Sequence, residues 1–425
     1  MKYAIALGGG GAKGAYQIGV WKALKEMNIE IQTVLGTSVG AINAAAISLG
    51  KYEEAKALWE QLDYSKIMVF EKHMIQEKKS VNLFDFLKEF FQNKGIDVSP
   101  LKNMLCEFIN EKELRSTPIE FGIVTASLSD FKPYVMFESE IPEGQIVDYI
   151  LASASLPIFK KMEIEGKIFI DGAVYDNVPV MELIERGHKN IIGIDISGMG
   201  MQRKFDEKEA NVIYIKNSES LGGILEFSGK NVKRNILMGY LDARKAFNHY
   251  VGSHYYIIKD ESIQKNAVTE EELNLIFKPM SSSVENTTRN QIIRTLRKYT
   301  DGKIDGENVL VASIEIAAEV FSIERLREYT VTELSEEILK QYSRIKKTGH
   351  NPIKSLSRNL KKARSASSSK KAIKNLFTPY IINEKELPSM LMLVALPKLY
   401  IANLLIYILL WRKKRNRRLQ RLHKG

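Results

Sequence analysis

Ser38 stands in Gly36-Thr37-Ser38-Val39-Gly40, a G-x-S-x-G sequence between an apolar run and a segment of small residues. That context predicts a strand, a tight glycine turn and a helix. The serine hydroxyl would then project near a helix N-terminus, the placement an acyl-transferring nucleophile needs. A second glycine cluster, residues 8–11 with Ala12, Lys13 and Gly14, follows the first apolar run. A phosphate-binding loop would need Gly-Lys-Ser/Thr at its end, but Ala15 and Tyr16 follow Gly14. A dinucleotide fingerprint fits Gly9, Gly11 and Gly14, yet it wants a carboxylate at the end of the second strand, where the sequence has Leu35-Gly36-Thr37-Ser38. The remaining reading is an oxyanion hole, with peptide N–H groups of the Gly9-Gly10-Gly11 turn aimed at charge developing beside Ser38.

A serine nucleophile needs a base. Histidine is the usual partner, but His73, His188, His249 and His254 stand in no motif, and His188 reads as a surface or capping residue at a helix end. Asp171 is the better candidate: Ile168-Phe169-Ile170 ends there and Gly172-Ala173 begins. Open α/β sheets place their sites at such strand ends. Ser153 and Ser155 are read as packing residues.

The elements that must hold these groups follow from periodicity. Residues 2–7 read as a buried strand, 13–27 as a helix, 33–35 as a second strand and 39–49 as a helix. Further strands are expected at 119–126, 134–137, 167–170, 190–196 and 211–216. This alternation describes an α/β body with a mostly parallel sheet over residues 1–250. Residues 251–347 read as a mainly helical extension, with Thr330 and Glu333 spaced as a capping box. Residues 348–383 form a basic Ser/Lys-rich linker. Residues 384–425 combine an apolar segment with a polybasic end.

With 44% hydrophobic residues the chain can bury a large core, which excludes a disordered protein. One cysteine, Cys106, excludes an internal disulfide and is expected to be buried among apolar neighbours. No cluster with ligand spacing points to a metal, and no cofactor is expected. Residues 1–7 are too short an apolar run for a secretory signal, so a cytoplasmic protein is expected. The net charge of +11 is uneven: residues 344–383 hold eleven Lys/Arg and residues 412–424 hold eight, both without acid, while the first 343 residues stand at −8. Basic runs flanking an apolar segment suit an anionic membrane surface better than nucleic acid. The expectation is an anchor on the cytoplasmic side, in which residues 387–411 bend at Pro397 into a monotopic hairpin. A single span would bring Lys398 to mid-membrane and set one basic flank outside.

Gly9-Gly10-Gly11-Ala12-Lys13-Gly14, Gly36-Thr37-Ser38-Val39-Gly40 and Asp171-Gly172-Ala173 resemble, in order and spacing, the three blocks of patatin-like phospholipases. Residues 152–159 and Asp176-Asn177-Val178-Pro179 add secondary matches, so the resemblance covers roughly residues 1–250. It implies a three-layer α/β/α fold and a Ser38–Asp171 dyad without histidine, cleaving fatty acyl esters of phospholipids or other lipids through an acyl-enzyme. Gly9, Gly10 and Gly11 would form the oxyanion hole, with Lys13, Gly14, Gly36, Gly40 and Gly172 as supporting motif residues. An acyltransferase using the same dyad, or an idle membrane scaffold, are the alternatives. The aromatic segment at residues 83–91 reads equally as a core helix or as an acyl-chain channel or lid.

Overall fold

The computed structural model describes residues 1–69, 95–206, 208–272, 290–300, 302–348 and 397–422. The 83–91 segment, His73, residues 349–383 of the basic linker and the start of the apolar segment, 384–396, lie outside the described residues.

Residues 1–247 and 248–425 separate into two compact units. In the first, Lys2–Leu7 (β1) leads through the glycine loop to Ala15–Glu26 (α1), and Glu30–Thr37 (β2) leads through Ser38 to Val39–Ser48 (α2). Tyr52–Glu60 (α3), Ser99–Phe108 (α4), Glu120–Ser127 (β3), Lys132–Phe137 (β4) and Ile146–Ser153 (α5) follow. Met162–Ile164 (β5), Lys167–Asp171 (β6), Asn190–Asp195 (β7), Asn211–Lys216 (β8) and Gly229–Ala246 (α6) complete the unit.

The eight strands make one sheet in the order β5-β6-β3-β2-β1-β7-β8, with β4 also paired to β3. The five strands β3, β2, β1, β7 and β8 run parallel. Ala4–Leu7, Val34–Leu35 and Ile191–Ile194 are buried, as expected where helices cover a parallel sheet and the strands read as continuous apolar runs. This is the mostly parallel α/β fold that the sequence predicts.

The register around β3 fixes the site. β2 pairs with β3 up to Thr37↔Val124, and β6 pairs antiparallel with β3 from Asp171↔Thr125 onward. β4 runs along β3 from Gly122 to Ser127 and so occupies the opposite edge. β2 and β6 therefore share one edge of β3, the second beginning where the first stops.

Two glycines let α1 and α6 cross at backbone contact. A Cβ on Gly19 would lie 1.8 Å from the Ile236 carbonyl oxygen, and one on Gly239 would lie 2.0 Å from that of Tyr16.

The second unit is built on Gly306–Val320 (α7), Val331–Thr348 (α8) and Pro397–Leu422 (α9). A small sheet of Tyr250–Val251 (β9), Tyr256–Ile258 (β10) and Glu328–Tyr329 (β11), which periodicity did not anticipate, completes it. The capping box opens α8: Thr330 N–H donates to Glu333 Oε2 at 2.8 Å, and Glu333 N–H to Thr330 Oγ1 at 3.1 Å.

The membrane-anchor expectation is overturned. Among the described residues no helix is long and apolar enough to cross a membrane. From Pro397 on, the apolar tail is instead the continuous helix α9, its apolar residues buried in the core of its own unit. Leu399, Ala402, Leu404 and Leu405 are at most 2% exposed and share a cluster with Ile314, Ala317 and Leu334. Lys398 pairs with Glu319 at 2.7 Å, and Arg412 pairs with the buried Glu272 at 2.6 Å while donating to the carbonyls of Asn266 and Ala267. An apolar run of about thirteen residues has the length of a core helix, not of a span. Both charges that had argued for a membrane arrangement serve packing.

Cys106 is a second correction. It is exposed, because α4 turns Leu101 and Leu105 inward and position 106 falls on the outer face.

Candidate active site

Ser38 has φ 58° and ψ −127°, a backbone conformation costly for a residue with a Cβ. What holds it there is local. Its N–H donates to Ser153 Oγ at 2.9 Å, and that hydroxyl donates onward to the Val124 carbonyl at 2.6 Å. Ser153, read as a packing residue, thus ties the strained turn to β3. Its neighbour Ser155 uses its carbonyl to receive the Asp171 N–H at 2.9 Å. Nothing in the sequence pattern distinguishes these two serines from helix packing.

The glycines around the turn are places of close approach. A Cβ on Gly36, Gly40 or Gly172 would come within 2.2, 2.3 or 2.1 Å of a carbonyl oxygen, and one on Gly14 would strike the Trp59 ring at 2.8 Å. A Cβ on Gly9 would sit 3.0 Å from Ser38 Cβ, so the first glycine loop lies directly against the Ser38 turn.

Asp171 is 3% exposed. One carboxylate oxygen, Oδ1, accepts the Ala173 N–H at 2.9 Å, and the other, Oδ2, is buried with no hydrogen-bond partner among the described residues. Burial pushes its pKa up to about 6, and the nearby Ser38 hydroxyl and the Ala173 amide pull the other way. A carboxylate in that range is ionised at neutral pH yet basic enough to take a proton.

Within the glycine loop the amides divide. Gly8 N–H donates to the Ile194 carbonyl and Gly9 N–H to that of Asn177, whereas Ala12 N–H donates to Ile224. Gly10 and Gly11 have no such acceptor among the described residues. Gly9 therefore supplies proximity, not a free donor. Gly11 has φ +57°, which turns the chain sharply at this point. Lys13 Nζ donates to the Ser197 carbonyl at 2.6 Å, tying the loop to the segment after β7. Desolvation lowers its pKa, against the pull of Asp195.

An apolar cavity of about 100 Å³, partly open to solvent, reaches from Ser38 and Gly11 past Ile42, Leu58, Met68, Leu105 and Phe159. His188 lies far from this arrangement in the sheet: it precedes β7, while the site gathers at the C-terminal ends of β1 and β2. Its Nδ1 meets Gln32 at 3.3 Å. His249 and His254 belong to the second unit.

Asp176 was noted in the sequence only as motif continuation, but it is fully buried. Its Oδ1 accepts the Arg203 N–H at 3.3 Å and its Oδ2 is unpartnered among the described residues. Burial pushes its pKa up to about 7.

Residues 5–184 match the family model of patatin-like phospholipases. Triacylglycerol lipase 4 of Saccharomyces cerevisiae is 28% identical over 206 residues, covering 43% of this chain and 22% of that protein. Lysophospholipase NTE1 of Candida glabrata is 26% identical over 207 residues, covering 46% of this chain and 10% of that protein. The chain thus spans about a fifth or less of the length of these relatives. Among solved structures, VipD from Legionella pneumophila aligns with a TM-score of 0.40 and 16% identity, over 91% of this chain and 92% of that one.

Proposed function

Over residues 5–184 the chain belongs to the patatin-like phospholipase family, and from that premise we propose that it is a serine hydrolase of fatty acyl esters in phospholipids or related lipids. One observation carries the reading: Ser38, in a strained turn and lining an apolar cavity, has its hydroxyl near the carboxylate of buried Asp171, one oxygen of which has no hydrogen-bond partner among the described residues. Ser38 Oγ attacks the acyl carbonyl and Asp171 Oδ2 takes its proton. The oxyanion of the tetrahedral intermediate lies against the amides of Gly10 and Gly11. The leaving alcohol recovers the proton, water then attacks the acyl-enzyme with Asp171 again as base, and Asp171 returns that proton to Ser38 Oγ as the fatty acid departs.

The cavity supports an acyl chain as the group received, since each sheltered CH₂ contributes about 0.8 kcal/mol. The relatives' names, a triacylglycerol lipase and a lysophospholipase, support the same substrate class. Mass-spectrometric product analysis on mixed phospholipid vesicles, with Ser38→Ala as control, tests the proposal. Release of fatty acid by the intact protein alone supports it, and equal product from the control defeats it.

A further inference from the structure

Beneath the glycine loop lies a chain of buried polar side chains for which the reaction above has no use. Trp59 Nε1 donates to Asn43 Oδ1 at 3.0 Å. Asn43 Nδ2 donates to Gln17 Oε1 at 2.7 Å and to the Gly14 carbonyl at 3.0 Å. Gln17 Nε2 donates to the Gly8 carbonyl at 2.7 Å. Gln17 is 0%, Asn43 1% and Trp59 6% exposed.

The geometry has a direction. Gly8 and Gly14 are the two ends of the loop that carries Gly10 and Gly11. Gln17 sits on α1, which follows that loop, and Asn43 sits on α2, which follows Ser38. Trp59 comes from α3. The relay therefore fixes the helix behind the nucleophile against the loop that faces it. Apolar side chains of the same size would remove the donors that the buried carbonyls of Gly8 and Gly14 receive, so the polar choice ties these helices to the two ends of the loop.

We propose that Gln17 and Asn43 are positioning residues, with Trp59 orienting the Asn43 amide. They hold both ends of the loop so that the Gly10 and Gly11 amides stay on the oxyanion position beside Ser38. The proposal rests on the reading of Ser38 as nucleophile and of those amides as donors. Losing one oxyanion donor costs on the order of 10²–10³ in rate, and a loop held loosely should lose part of that, about tenfold.

The test uses the full chain and its Gln17→Met and Trp59→Phe variants, each removing a donor, the first at nearly constant bulk and the second with a smaller ring in the cavity wall. Two rates are measured: turnover of a soluble chromogenic short-chain ester, and covalent modification of Ser38 by a fluorophosphonate. The expected result, at a temperature where both variants are fully folded, is a fall of about tenfold in kcat and in phosphonylation with KM within about twofold, beside a lowered Tm from the acceptors left unpaired. Unchanged rates in either folded variant overturn the proposal. Failure of both variants to fold also overturns it, because the relay would then be structural. A wild-type protein inert to ester and phosphonate defeats the assignment of Ser38 itself. A reactive wild type with insensitive variants defeats only the positioning.

Discussion

Thr37 and Asp171 face consecutive residues of one strand: Thr37 pairs with Val124, and Asp171 pairs with Thr125. The Ser38 turn and the proposed base thus meet where β2 leaves the edge of β3 and β6 takes it over. Backbone hydrogen bonding sets their spacing, so neither side chain depends on a mobile loop for its place.

Ser38→Ala and Asp171→Asn should each lower ester hydrolysis by about 10³-fold or more, and the double variant should be hardly worse, because the two act as a unit. Initial rates on a soluble ester check this. Substantial turnover by purified Asp171→Asn would show that another group takes the proton.

The pH profile should carry the signature of Asp171. Only the ionised form accepts a proton, so kcat/KM should fall about tenfold per unit below the carboxyl pKa of about 6. A profile flat down to pH 4.5 in the folded enzyme would exclude a raised aspartate as the base.

Asp176 should act on stability. Its folded pKa of about 7 lies above the ordinary 3.8, so the folded state holds the proton more tightly than the unfolded chain. Stability from this group is fully present below about pH 4 and is lost as pH rises through 7. Asp176→Asn should remove that loss and stabilise the protein at pH 8 by a few kcal/mol, at most about 4. Denaturation midpoints at pH 4.5 and pH 8 decide the matter, and an equal effect at both would refute it.

Gly19→Ala and Gly239→Ala should destabilise the first unit by about 1–3 kcal/mol or more through forced separation of α1 and α6. The sign is the test, since helix propensity alone would favour alanine by about 1 kcal/mol.

Leu404→Ala or Leu405→Ala should cost the second unit about 2–5 kcal/mol and leave the first untouched. Hydrogen exchange would read this as faster exchange in α7 with no change in β1 to β3. Unchanged protection in α7 would count against α9 as a core element.

Ser38, Asp171 and the glycine loop were visible in the sequence because each is a local signal, an apolar run broken by small residues. Gln17, Asn43, Trp59 and Ser153 were not. Each lies in a helix whose apolar periodicity conceals it, and its role depends on partners brought near only by the sheet. The misreading of residues 387–411 has a different cause. Hydropathy measures what a helix must be shielded from, and core and bilayer shield equally well. The presence of Glu319 and Glu272 opposite Lys398 and Arg412 is tertiary information.

The burial of α9 has a consequence for how the chain is made. The first unit owns all its strands and helices by residue 247, whereas the second lacks part of its core until Leu399 to Ile408 have been added. At about 5–20 residues per second, the first unit has on the order of ten seconds or more to close before the second can. Stalled ribosomes carrying chains that stop near residue 380 should hold a protease-resistant first unit and a sensitive second. Resistance of both units in such nascent chains would show that the second forms its core without its last helix.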